Sequence, residues 1–176
     1  MALRKGHCYT PLDRPYSRKS KVKSKGYIKA IPPAKLAKFI MGDAAGYATG
    51  KYPYTLSLIM LEPIQIRDNA IEAARQQALR HLDEKLKGNF YFNVPAYPHQ
   101  ILREHKMLTG AGADRMQTGM AHSFGKPGGV AAQIRANGSV FRISCVKDAV
   151  PVVRKVLEEA RPKLPGKKAI ITEIKK

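Results

Sequence analysis

The sequence predicts an α+β fold, and three features predict it. Helix-like and strand-like runs alternate without the strict strand–helix–strand repetition of a parallel sheet. A long amphipathic stretch, Asp68 to Leu86, stands between strand-like runs. Asn137-Gly138 separates two β-type runs, and both residues tolerate the positive φ of a type I′ hairpin turn. The expected architecture is two main helices packed on a mixed sheet, preceded by a basic extended arm. A chain of 176 residues suits one domain spanning 1–176.

The arm comes first, over residues 1–30. It carries Arg4, Lys5, Arg14, Arg18, Lys19, Lys21, Lys23, Lys25 and Lys29 against one acid, Asp13. Its apolar content is too sparse for a helix or strand face. Tyr9, Tyr16 and Tyr27 are interleaved among the cations. Such a segment reads as an extended arm ordered only by a partner. Phosphate neutralisation with aromatic stacking is how single strands are commonly held.

IPPAKLAKFIMG predicts a short helix, with Leu36, Phe39 and Ile40 on one face and Gly42 ending it. DAAGYATGKYPY reads as loop, and YTLSLIMLEP as a buried strand from Tyr54 to Pro63. Asp68 can cap the long helix, and Gly88 lies just beyond its end. Ile71, Ala74, Ala78, Leu79, Leu82 and Leu86 form its core-facing stripe. Phe90 and Phe92 alternate with polar neighbours, and Ile101-Leu102 lead into a strand with Arg103, His105 and Lys106. After the predicted hairpin, Asp148 begins a second helix with Val152, Val153, Val156 and Leu157 inward and Pro151 in its first turn. KKAIITEI closes as a strand.

Charge narrows the function. Thirty-two Lys and Arg face 13 Asp and Glu, a net charge of +19. That surplus repels itself in the compact state and calls for a polyanion, nucleic acid before an anionic membrane. No apolar run is long enough to span a bilayer and no signal peptide opens the chain, so a cytosolic protein is expected. Cys8 and Cys145 lack zinc or redox spacing and read as reduced thiols. An RNA-modifying enzyme, or another basic nucleic-acid-binding protein, would share this charge.

Between Leu108 and Gly129 lies LTGAGADRMQTGMAHSFGKPGG, with six glycines and one acid. Two enzyme motifs fail there on spacing. A dinucleotide fingerprint from Gly110 and Gly112 would need its third glycine where Arg115 stands. A phosphate-binding loop from Gly119 to Gly125-Lys126 has one residue too many, and Pro127 where the hydroxyl belongs. His7, His81, His99, His105 and His122 are scattered, and no nucleophile–base, paired-carboxylate or metal pattern appears. What remains is a flexible glycine-rich loop over 109–128 that permits close backbone approach to an anionic surface.

GAGADRMQTGM, Gly110 to Met120, followed by FGKP, Phe124 to Pro127, resembles the signature of the universal large-subunit ribosomal protein L-sixteen family, in its archaeal and eukaryotic L-ten-e branch. CYTPLDRPYSR, IPPAKLAKFIMG, YPHQILREHKML and GVAAQIRANGSVFRI fit the same family in the same order, so the resemblance covers nearly the whole chain. It implies a hammerhead-like β motif within the α+β fold. It also implies a structural, rRNA-binding role in the large subunit of the cytoplasmic ribosome, in the tRNA cleft near the peptidyl-transferase centre. The partners implied are large-subunit rRNA, tRNA and neighbouring ribosomal proteins, with late entry into the subunit.

The residues then expected to meet RNA are Arg4, Lys5, Tyr9, Arg14, Tyr16, Arg18, Lys19, Lys21, Lys23, Lys25, Arg103, Lys106 and Lys126. The tRNA-proximal loop is Thr109, Gly110, Ala111, Gly112, Ala113, Asp114, Arg115, Met116, Gln117, Thr118, Gly119 and Met120. The chemistry of peptide transfer belongs to rRNA in this family, so no catalytic residue, cofactor or metal is expected, nor a membrane or a stable homo-oligomer. One departure stands out. Ala121-His122-Ser123 occupies a place where the family commonly has an arginine, so a phosphate contact made there in the family is either lost or moved to Lys126 or His122.

Overall fold

The computed structural model describes residues 5–12, 22, 28, 31–104 and 125–174. Its strands are β1 (Ile40–Gly42), β2 (Tyr54–Met60), β3 (Ile64–Arg67), β4 (Tyr91–Asn93), β5 (Gln100–Glu104), β6 (Lys126–Ile134), β7 (Ser139–Cys145) and β8 (Lys168–Ile174). Its α-helices are α1 (Ala44–Ala48), α2 (Asp68–Leu86) and α3 (Val150–Ala160). The α+β class is borne out. The strands form two sheets, ordered β1-β4-β7-β2-β8 and β3-β6-β5, and every pairing among the described residues is antiparallel.

α2 has the predicted stripe. Ile71, Ala74, Ala78 and Leu82 are buried, and Leu79 and Leu86 pack partly buried against the same core. Lys87 and Gly88 take positive φ, 46° and 85°, and so stop the helix. In α3, Val153, Val156 and Leu157 are buried and Val152 half-buried. The helix starts at Val150, after a 3₁₀ turn over Lys147–Ala149 that holds Asp148. Phe92 and Phe141 meet edge to face at 5.4 Å beneath the larger sheet. One hydrophobic cluster draws on both sheets, from Leu56 and Ile143 to Ile66 and Ala132.

Five expectations are corrected. IPPAKLAKFIMG is not helical. The N–H groups of Lys35 and Ala37 donate to the side chains of Asp68 and Glu72, and Phe39 O accepts from Val94 N–H. These contacts draw the segment out along α2 and β4 until Ile40 begins β1. Ile40 is therefore 56% exposed, and Met41 faces the core instead. Asp68 is the first helical residue rather than the cap, its carboxylate taken by the amides of Lys35 and Asn69. DAAGYATGKYPY holds α1, which Asp43 caps by accepting from Gly46 N–H.

The predicted hairpin is not one. β6 lies in the three-stranded sheet and β7 in the five-stranded sheet. Asn137 takes a left-handed φ of 61° but Gly138 does not. The turn docks on β2: Asn137 N–H donates to Met60 O at 2.7 Å, and Met60 N–H to Gly138 O at 2.9 Å. A side chain at Gly138 would meet Ile134 Cγ2 at 2.6 Å, so space is what requires glycine there. Lastly, residues 126–128, expected in the loop, are the start of β6, where backbone pairing with β5 outweighs the glycine content.

Candidate nucleic-acid interface

The root of the arm is built onto the smaller sheet. Gly6–Tyr9 form a 3₁₀ turn. Gln65 N–H donates to Thr10 O at 3.0 Å, and Gln65 Nε2 donates to Tyr9 O at 3.0 Å. Gln65, only 3% exposed, is in turn held by Gln133 Nε2 on β6. The guanidinium of Arg67 lies 5.1 Å from the centroid of the Tyr9 ring. Tyr9 thus packs on protein, and this part of the arm is ordered by the chain itself, not only by a partner. Lys5 is exposed just before the turn. Arg4, Arg14, Tyr16, Arg18, Lys19, Lys21, Lys23 and Lys25 lie outside the described residues.

The strands that flank the glycine segment pair with each other. β5 and β6 pair from Gln100↔Ala131 to Glu104↔Lys126, with an irregularity between Leu102 and Arg103. Arg103 faces Pro127 in the register and is half-buried; Lys126 is exposed. Gly125 leads into the stem with φ 92°, a conformation that favours glycine. Lys106, the loop Thr109–Met120 and Ala121-His122-Ser123 lie outside the described residues.

The acids near the arm-side segment are turned inward. Glu72 binds Arg75 through two contacts, Nη2–Oε1 at 2.5 Å and Nε–Oε2 at 2.8 Å, and both residues are buried. Gln76 Nε2 also donates to Glu72. The hydrogen bonds from Arg75, against the opposing effect of burial, pull the Glu72 carboxyl down to about 2. Asp43 is likewise held below the ordinary carboxylate range, by Gly46 N–H first and the Tyr52 hydroxyl second. Sequence reasoning missed this network. Its one signal was a Glu–Arg pair at i, i+3 spacing inside an apolar stripe.

Among the described residues no constellation for catalysis assembles. His7, His81 and His99 stand on different elements, and among the described residues no group of three metal-binding side chains forms. Cys8 and Cys145 are free thiols. No helix among the described residues is long and apolar enough to cross a membrane.

Known proteins are similar to this sequence. The model of the ribosomal protein L16p/L10e family matches residues 12–171. Large ribosomal subunit protein uL16 of Sulfolobus acidocaldarius is 43% identical over 169 residues, which cover 94% of this chain and 90% of that protein. The uL16 protein of Staphylothermus marinus is 40% identical over 167 residues, with coverage of 94% and 90%. That of Thermofilum pendens is 39% identical over 175 residues, 98% of both chains. With a family match from residue 12 to residue 171 and relatives 39–43% identical over most of the chain, the chain belongs to the ribosomal protein L16p/L10e family.

Proposed function

We propose that this chain, a structural constituent of the large ribosomal subunit and not an enzyme, binds large-subunit rRNA and carries a loop to the tRNA cleft. Lys5 and the cations Arg4, Arg14, Arg18, Lys19, Lys21, Lys23 and Lys25 neutralise phosphates along the arm, with Tyr16 against the bases. Arg103, Lys106 and Lys126 neutralise phosphates around the stem. Residues 109–120 reach the acceptor end of tRNA near the peptidyl-transferase centre, supporting its placement and the late maturation of the subunit. The chain acts as one domain among neighbouring ribosomal proteins in the cytoplasm, without a membrane or a second copy.

The pairing of Glu104 with Lys126 carries this reading. It fixes both ends of the glycine segment side by side, so residues 105–125 leave and return at one point. Sedimentation of the tagged chain in a sucrose gradient tests the assignment; it should travel with the large subunit. Contact with about eight phosphates would make log K for rRNA fall with log[salt] at a slope near −7. A slope near zero, or sedimentation apart from the subunit, would remove the reading.

A further inference from the structure

We propose that the stacked pair Phe39–Tyr97 is a platform for one unstacked nucleotide of large-subunit rRNA, with Lys35, Lys38 and His99 at its rim. The inference rests on the rRNA-binding reading and adds a site that neither the arm nor the loop contains.

The two rings lie nearly parallel, with centroids 5.5 Å apart and planes at 27°. Phe39 is half-buried and packs on the core, whereas Tyr97 is 57% exposed. With one ring face seated on Phe39, the exposure of Tyr97 lies on its other face and edges. Single exposed apolar residues are ordinary; a stacked aromatic with a rigid mount is less so.

The mount is rigid for reasons already given. Lys35 and Ala37 are tied through their amides to α2, and Phe39 O to Val94 N–H at 2.8 Å. Tyr97 stands between buried Ala96 and buried Pro98. A ligand landing there immobilises little that is not already fixed, which favours affinity.

The surroundings select a polyanion. Neither Ile31–Gly42 nor Asn93–Arg103 contains an acid. Asp68 and Glu72, which reach this segment, spend their oxygens on backbone amides and Arg75. Lys35, Lys38 and His99 are exposed, and His99 Nδ1 donates to Tyr97 O at 3.2 Å. An exposed aromatic face on a segment that carries Lys35 and Lys38 suits a base and its phosphate, since every base offers a π face.

The test is binding of the full-length chain to transcribed large-subunit rRNA, with a salt titration. Tyr97→Ala should weaken binding roughly five- to a hundredfold, leave the salt slope unchanged and leave the far-UV circular dichroism intact. Tyr97→Leu keeps bulk over Phe39 but loses the π face, and should bind as poorly as the alanine variant; Tyr97→Phe should bind like wild type. Lys38→Ala should make the slope shallower by about 0.9. Ultraviolet crosslinking of the wild-type complex should leave a nucleotide on Tyr97. Wild-type affinity in Tyr97→Ala, beside a steep salt slope in the parent, overturns the platform and spares the rRNA reading. Normal rRNA affinity with loss from the assembled subunit assigns the pair to a neighbouring protein and also overturns it. A parent chain without salt-dependent binding removes both.

Discussion

Glu104 and Lys126 are partners across the last described rung of the β5–β6 ladder. The ladder continues inward through Leu102↔Gly129, Ile101↔Val130 and Gln100↔Ala131, where Ile101 and Val130 are buried. Register is thus fixed by the core and not by the intervening segment. Closing a long flexible loop costs entropy that grows only slowly with length.

Replacing residues 106–122 with a short Asn-Gly turn should therefore leave the fold standing. The thermal midpoint should move by no more than about 3 °C, and the change should favour the shortened chain. Subunits carrying it should bind tRNA poorly. A collapse of the midpoint would show that the segment itself holds the smaller sheet together.

The Glu72–Arg75 pair makes a pH-dependent contribution whose sign follows from its carboxyl. In the fold this group titrates at about 2, below its ordinary 4.5. The unfolded chain then binds the proton more readily. Stability from this pair is complete above about pH 4.5 and is lost as pH falls through about 2. Denaturant melts of the parent should weaken across that window, and those of Glu72→Gln should weaken less. Glu72→Ala should cost about 3–5 kcal/mol at neutral pH, because Arg75 stays buried without its partner. A loss below about 1 kcal/mol would mean that Arg75 escapes to water.

Much of this was legible in the sequence because periodicity reports burial. The stripe of α2, the run of β2 and the valines of α3 each face the core they predict. The resemblance carried by Gly110 to Met120 and its companions anticipated the family. What failed were features decided by distant residues. Asn137-Gly138 marks a turn, yet β7 pairs with β2 and β4, which nothing near the turn encodes. Leu36, Phe39 and Ile40 gave a helical pattern, but carboxylates on α2 took the amides of Lys35 and Ala37. β3 is four residues running straight into a helix, too short a window for its alternation to register. The contact of Arg67 with the Tyr9 ring is likewise one that no local pattern signals.

The two thiols should differ sharply in reactivity. Burial pushes the Cys145 thiol up to about 11, while Cys8 is exposed. The thiolate is the nucleophile, so at pH 8 the native chain should take up one equivalent of a maleimide quickly, at Cys8. Cys145 should react only on unfolding, in step with the loss of circular dichroism. Peptide mapping that finds both labelled at similar rates in the native chain would contradict the burial of β7's last residue.

Gly42 is where the mistaken helix and the true strand make opposite predictions. As the residue ending a helix it would sit at an open end, and alanine there would cost little beyond the left-handed backbone. In the fold its φ is 83°, and a side-chain carbon would fall 2.1 Å from Phe90 O. That carbonyl cannot retreat freely, because it accepts from Asp43 N–H at 2.8 Å and precedes β4. Strain and overlap therefore add, and Gly42→Ala should destabilise the chain by about 3 kcal/mol or more. Chemical denaturation against the parent measures this directly. Gly50→Ala serves as the control, since its φ of 81° is similar but nothing lies within 4 Å of the added carbon. The difference between the two variants isolates the close approach of β1 to Phe90. Equal losses would place the whole effect in the backbone and leave the β1–β4 contact without energetic weight.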